Sequence, residues 1–185
     1  MKIKTIVLGD RTVGKTTLLS HLDSRLKTDK YVPTLGVDFV SYSKSGTKLH
    51  LWDTSGSDRF SVVIRPFIRD ISLAILVYNS ERSFRKIEKY IDWVDTLCAK
   101  DYRIVLVSNC ADIDLECSGQ YLACEKKITF FACNALDRTS CLTFWHELMH
   151  YCNVEVKLNA WQVSVVKKRE SPKEERNSYR LCWWM

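Results

Sequence analysis

The stretch Gly9-Asp10-Arg11-Thr12-Val13-Gly14-Lys15-Thr16 has the residue types and spacing to hold a chain of phosphates. Gly9 and Gly14 let the backbone curl until successive N–H groups face phosphate oxygens. Lys15 is a cation at reach of β- and γ-phosphates, and the Thr16 hydroxyl is a hard oxygen donor for Mg²⁺. Further along, Asp53-Thr54-Ser55-Gly56 offers a carboxylate to hold Mg²⁺ through water and, at Gly56, an N–H to sense the γ-phosphate. Base selection needs a carboxylate that accepts from N1–H and N2–H₂ of guanine, and Asn109-Cys110-Ala111-Asp112 supplies one at Asp112. Asn134-Ala135-Leu136 adds a backbone N–H, that of Ala135, for the guanine O6.

These segments work together only if the fold brings them to one edge. Ile3–Leu8 reads as a buried strand that feeds the Gly9–Thr16 loop, and Thr17–Arg25 reads as the helix after it. That is the strand–loop–helix context of a Walker A loop. A hairpin signal at Ser45-Gly46 precedes the apolar run Leu49–Trp52, and Leu73–Tyr78 is a continuous apolar strand. Ser83–Leu97 carries Phe84, Ile87, Ile91, Val94 and Leu97 at helical spacing. Ile104–Val107 and Ile128–Phe131 are two more short buried strands, and Phe144–Tyr151 continues a last helix. Alternating strands and helices predict an α/β fold of the P-loop NTPase type, a mostly parallel central sheet with helices on both faces. In such a sheet the ligand lies beyond the carboxyl ends of the strands, where all four loops fall.

Composition sets the outer bounds. The chain has 185 residues, 46% of them hydrophobic, enough for one well-packed domain. Its net charge of +6 is compatible with anionic ligands or membranes and does not point to nucleic acid as a partner. No two of its 8 cysteines stand in C-x-x-C spacing, and Met1–Thr5 lacks the apolar run of a signal peptide, so a reduced, cytoplasmic protein is expected. From Lys157 onward 7 basic and 3 acidic residues give 7 − 3 = +4. The expectation is a domain over residues 1–156 and a basic, flexible tail over 157–185.

Taken in order, these motifs resemble a Ras-superfamily small GTPase of the Rab branch over roughly residues 3–151. Tyr31-Val32-Pro33-Thr34-Leu35-Gly36-Val37-Asp38-Phe39 resembles a Rab first switch, and Trp52-Asp53-Thr54-Ser55-Gly56-Ser57-Asp58-Arg59-Phe60 the second. Ser83-Phe84 followed by Trp93 is similar to the Rab third helix. The resemblance implies a guanine-nucleotide switch in vesicle trafficking or signalling, with GTP or GDP and Mg²⁺ as cofactors. Effectors, exchange factors and GTPase-activating proteins are its implied partners. It also implies that Gly9 through Thr16, with Thr17, cradle the nucleotide, and that Thr34 joins Thr16 and Asp53 at the metal. Phe39 and Trp52, with Phe67 or Ile68, would form an effector-facing apolar surface.

Several departures matter. Ser57 stands where the family has the glutamine that orients the attacking water, and serine is too short to reach it. Arg11 replaces a small residue, where its guanidinium would crowd the γ-phosphate and block an activating protein's arginine finger, or act as a finger in cis. Arg11, Ser57 and Thr34 are therefore the residues expected to set the hydrolysis rate, which should be slow. Cys110 replaces the lysine of N-K-x-D, Lys27 an aromatic residue against the base, and Leu136 the last residue of S-A-K. These changes weaken the hold on the base. The implied outcome is a GTP-biased switch; the alternative is a pseudo-GTPase, an interaction module with weak nucleotide binding and no turnover.

Two further motifs stand apart. His146-Glu147-Leu148-Met149-His150 matches H-E-x-x-H on a predicted helix, but it maps far from the phosphate loops and reads as a helix face with solvent-side histidines. Cys182-Trp183-Trp184-Met185 has C-a-a-X spacing, so prenylation of Cys182 with the polybasic run 167–180 would place the protein on the cytosolic face of a membrane.

Overall fold

The computed structural model describes residues 2–23, 26, 32–44, 46–109 and 112–161, with side chains up to 153. The chain divides into a compact unit, Met1–Met149, and a second unit from His150, whose described residues 150–161 are helical.

Strand β1 (Lys2–Leu8) leads into α1 (Lys15–Ser20), and β2 (Val37–Lys44) and β3 (Thr47–Thr54) form a hairpin. A 3-10 turn at Asp58–Phe60 then opens α2 (Ser61–Ile68). After β4 (Leu73–Tyr78) come α3 (Glu81–Phe84) and α4 (Ile87–Leu97). The chain continues through β5 (Arg103–Ser108), α5 (Ile113–Lys126) and β6 (Thr129–Ala132) to α6 (Arg138–Trp161). The sheet order is β2-β3-β1-β4-β5-β6, parallel throughout except for the β2–β3 hairpin. This is the α/β architecture that the alternating pattern predicts.

The central strand β4 is buried at every residue, as a strand covered on both faces must be. On one face α2, α4 and α5 set Ile64, Ile68, Ile91, Val94 and Leu122 against Ile6, Leu8 and Leu76. On the other, α1 packs on β3, and Trp145 of α6 donates its indole N–H to Leu18 O at 3.1 Å.

Several boundaries differ from the expected ones. α1 begins at Lys15 and ends at Ser20, so the helix starts inside the phosphate loop. β3 runs to Thr54 and carries Asp53 within the strand. The expected helix Ser83–Leu97 is two helices, because Ser80 and Ser83 form a capping box that starts α3 and the chain turns again at residues 85–86. Two helices have no counterpart in the sequence reading. α2 contains Pro66, which reads as a break, and α5 buries only Gly119, Leu122 and Ala123, too thin a stripe to show as periodicity.

Candidate functional site

The carboxyl ends of β1, β3, β5 and β6 deliver their loops to one edge of the sheet, and the loops after β1, β3 and β6 line a cleft of about 960 Å³ there. Gly9 leaves β1 buried, and the loop passes Asp10, Arg11 and Thr12 to the buried Val13. Lys15, only 6% exposed, donates its Nζ to Gly9 O at 3.0 Å and Asp10 O at 2.7 Å. Burial pushes its pKa down to about 8 against the pull of Asp53 and Asp10.

Beside it sits an all-oxygen cluster. Asp53 is fully buried, and its Oδ2 accepts from Thr16 Oγ1 at 2.6 Å and from Thr34 Oγ1 at 3.3 Å. The two hydroxyls are themselves 2.9 Å apart. Asp53 Oδ1 is buried with no partner, and burial raises the carboxyl's pKa despite the Thr16 bond and Lys15. A buried carboxylate with a spare oxygen beside two hydroxyls is the donor chemistry of a hard divalent cation such as Mg²⁺. Thr17 lines the same cleft, exposed.

The loop after β3 is seated on the phosphate loop. A Cβ added at Gly56 would lie 2.3 Å from the Asp10 carbonyl carbon and oxygen, so only glycine permits this approach. Next to it, Arg11 Nη2 donates to Ser57 Oγ at 2.6 Å, and Ser57 is 7% exposed. Neither of these side chains stands free.

Asn109 ties the base side together. Its Nδ2 donates to Val13 O at 2.8 Å, and its Oδ1 accepts from Ala135 N at 2.7 Å. Gly14 has φ +91, and a Cβ there would sit 2.2 Å from Asn109 Nδ2, so glycine is required on both counts. The Ala135 N–H expected to face the guanine O6 is thus directed at Asn109. Asp112 caps α5, accepting from Leu115 N at 3.1 Å through Oδ1. Asn134 shapes its turn by accepting from Leu136 N at 3.0 Å, and Leu136 stands 88% exposed at the rim of the cleft. Cys110, Lys27 and Tyr31 lie outside the described residues, as does Cys182 with the tail from 162.

Two contributors were missed, Asn79 and Lys86. Asn79, at the end of β4, donates its Nδ2 to Thr12 O at 3.0 Å. Its signal was available, because β4 is a fifth parallel strand ending on the same edge. Thr12 holds φ +58, a left-handed conformation that costs a β-branched residue roughly 1–2 kcal/mol. Lys86 pairs with Asp10 at 2.8 Å; burial pushes the Asp10 carboxyl up, but Lys86 and the Arg11 N–H outweigh it and hold it low.

A comparison with known protein families matches residues 4–153 to the Ras family. The chain belongs to the Ras family. Small GTPases of this family are P-loop hydrolases that bind GTP or GDP with Mg²⁺ and engage effectors, exchange factors and activating proteins. This Ras-family chain has, among its described residues, no helix long and apolar enough to cross a membrane and no group of three or more His, Cys, Asp or Glu suited to a metal. In the H-E-x-x-H motif His146, Glu147 and His150 are exposed on α6. Of the two candidates for the third apolar surface residue, Phe67 stacks on Trp52 at 4.9 Å, whereas Ile68 is core at 0% exposure.

Proposed function

We propose that this Ras-family protein is a guanine-nucleotide switch of the Rab-like type whose intrinsic hydrolysis is slow, acting in vesicle trafficking or signalling. Lys15 meets the β- and γ-phosphates, with Gly9 through Thr17 around them. Thr16, Thr34 and Asp53 would hold Mg²⁺, which would neutralise charge on the phosphate oxygens. Asp112, with Asn134 and Leu136, is the base side of the site, and Asn109 ties the phosphate loop to the loop after β6 through Val13 and Ala135.

The observation that carries slow turnover is the 2.6 Å Arg11–Ser57 hydrogen bond. Hydrolysis needs a side chain that orients water in line with the γ-phosphate. The only side chain at that position is short and already bound to a guanidinium. Arg11 in turn occupies the approach of an arginine finger. The continuous rings of Phe39, Trp52 and Phe67 support a Rab-like effector face. A nucleotide-binding domain over 1–156 with a basic tail over 157–185, prenylated at Cys182, would bring the switch to the cytosolic side of membranes.

The competing pseudo-GTPase reading draws on Lys15 and Ala135 N–H, both of which have internal partners. Identifying the nucleotide released when freshly purified protein is denatured separates the two. Mostly GTP is expected. Mostly GDP would refute slow turnover, and an empty site would favour the pseudo-GTPase.

A further inference from the structure

At the β1–β3–β2 corner of one sheet face Lys2, Phe39, Ser41 and Ser43 are exposed, and Lys4, Lys48, His50 and Trp52 are half-buried. Under α2 and α4 that face presents Ile6, Leu8, Ala74 and Leu76. Continuing down the same face, β1 presents Lys4 and Lys2, and β3 presents Trp52, His50 and Lys48. The register sets Lys2 abreast of Lys48 and Lys4 abreast of His50, with Phe39, Ser41 and Ser43 of β2 opposite Trp52, His50 and Lys48. The intervening residues Ile3, Leu49, Leu51 and Val40 are buried, so the alternation is clean.

This strip has two ends of different chemistry. At one end Phe39, Trp52 and Phe67 run ring to ring at 4.9 Å each, and Phe39 is 47% exposed. His50 meets Phe39 edge-on at 5.5 Å. At the other end stand Lys2, Lys4 and Lys48, none of which takes part in an ion pair among the described residues. The eight residues of the strip on the three strands include no carboxylate.

Like charges abreast on neighbouring strands repel, and the strip itself offers Lys2 and Lys48 no carboxylate. A feature that costs stability without internal compensation marks a surface kept for something else. The strip is five residues long, roughly 17 Å, and three strands wide. That is the footprint of a single helix or strand rather than of a broad lipid surface.

We propose that this face docks an acidic amphipathic segment of a partner protein, its apolar side chains on Phe39, Trp52 and Phe67 and its carboxylates on Lys2, Lys4 and Lys48. The inference rests on the effector-face reading above and adds the partner's chemistry to it.

The test uses the full chain loaded with a non-hydrolysable GTP analogue and a displayed library of 16-residue segments, selected in parallel on wild type and on a Lys2→Glu/Lys4→Glu/Lys48→Glu variant. Wild type should enrich segments combining Asp or Glu with Leu, Phe or Trp, and the variant should bind them about tenfold or more weaker. Phe39→Ala should weaken them as well, and nucleotide turnover in the lysine variant should be unchanged. No enrichment of acidic segments, or equal enrichment on the variant, would overturn the proposal. So would lysine-dependent sedimentation with phosphatidylserine vesicles in the absence of such enrichment. Acidic segments bound equally in the GDP form would retain the docking strip and refute only the effector reading. A second readout needs no partner: Lys48→Glu should raise the thermal midpoint at low salt, with the gain fading at high salt, and a lowered midpoint would contradict the like-charge argument.

Discussion

The metal-and-lysine end of the cleft and its switch-and-base end are built differently. At the first, Thr16, Thr34 and Asp53 hold one another through hydrogen bonds, Lys15 donates to the Gly9 and Asp10 carbonyls, and Asp53 is fully buried. At the second, Arg11 and Leu136 are exposed, Ser57 is spent on Arg11, and Asn109 turns both its polar ends to backbone. On the function proposed above, holding phosphates and turning them over fall to different residues. The first depends on buried groups that cannot change without cost. The second depends on side chains that can be replaced while the fold stays intact.

The comparison breaks most visibly at Lys15. Lys15→Ala should lower nucleotide affinity by about 100-fold or more, since a charge-assisted partner of the phosphates is lost; titration with a fluorescent GDP derivative measures it. Asn109→Ala sharpens the contrast, because it frees Val13 O and Ala135 N together. Nucleotide release should quicken by about tenfold, with hydrolysis of retained GTP nearly unchanged.

The pH dependence follows from Lys15 as well. Its folded pKa of about 8 lies below the ordinary 10.5, so between those values the unfolded chain binds more protons than the folded one. Stability of the nucleotide-free protein should then rise with pH through that window, the cost of the buried charge being fully present below pH 8. Nucleotide affinity should move the opposite way, falling by up to about tenfold per pH unit as the cation is lost. Lys15→Met should abolish both slopes in urea unfolding and binding titrations. The smallest effect belongs to Thr12→Gly, which relieves the left-handed strain but adds chain entropy; a gain of about 0.5 kcal/mol in urea unfolding is expected.

The sequence carried the site's skeleton because strand, loop and helix alternate and the four loops must fall on one edge. It carried less of what joins them. That Asn109 spends both polar ends on Val13 and Ala135, or that Arg11 finds Ser57 forty-six residues away, follows from packing and not from local spacing. Periodicity failed at α5, where a glycine and an alanine supply most of the buried stripe, and at α2, where Pro66 reads as a stop. It also left Phe67 and Ile68 undistinguished, since neighbours on a helix differ by about 100° in direction and only the neighbouring strand decides which one is buried.

On the proposed function, the Arg11–Ser57 pair, and not a failed phosphate site, limits turnover. Single-turnover hydrolysis of preloaded GTP by wild type and by Arg11→Gly/Ser57→Gln tests it directly. The double variant should hydrolyse at least about tenfold faster with similar nucleotide affinity. Equal rates in the two proteins would contradict the account.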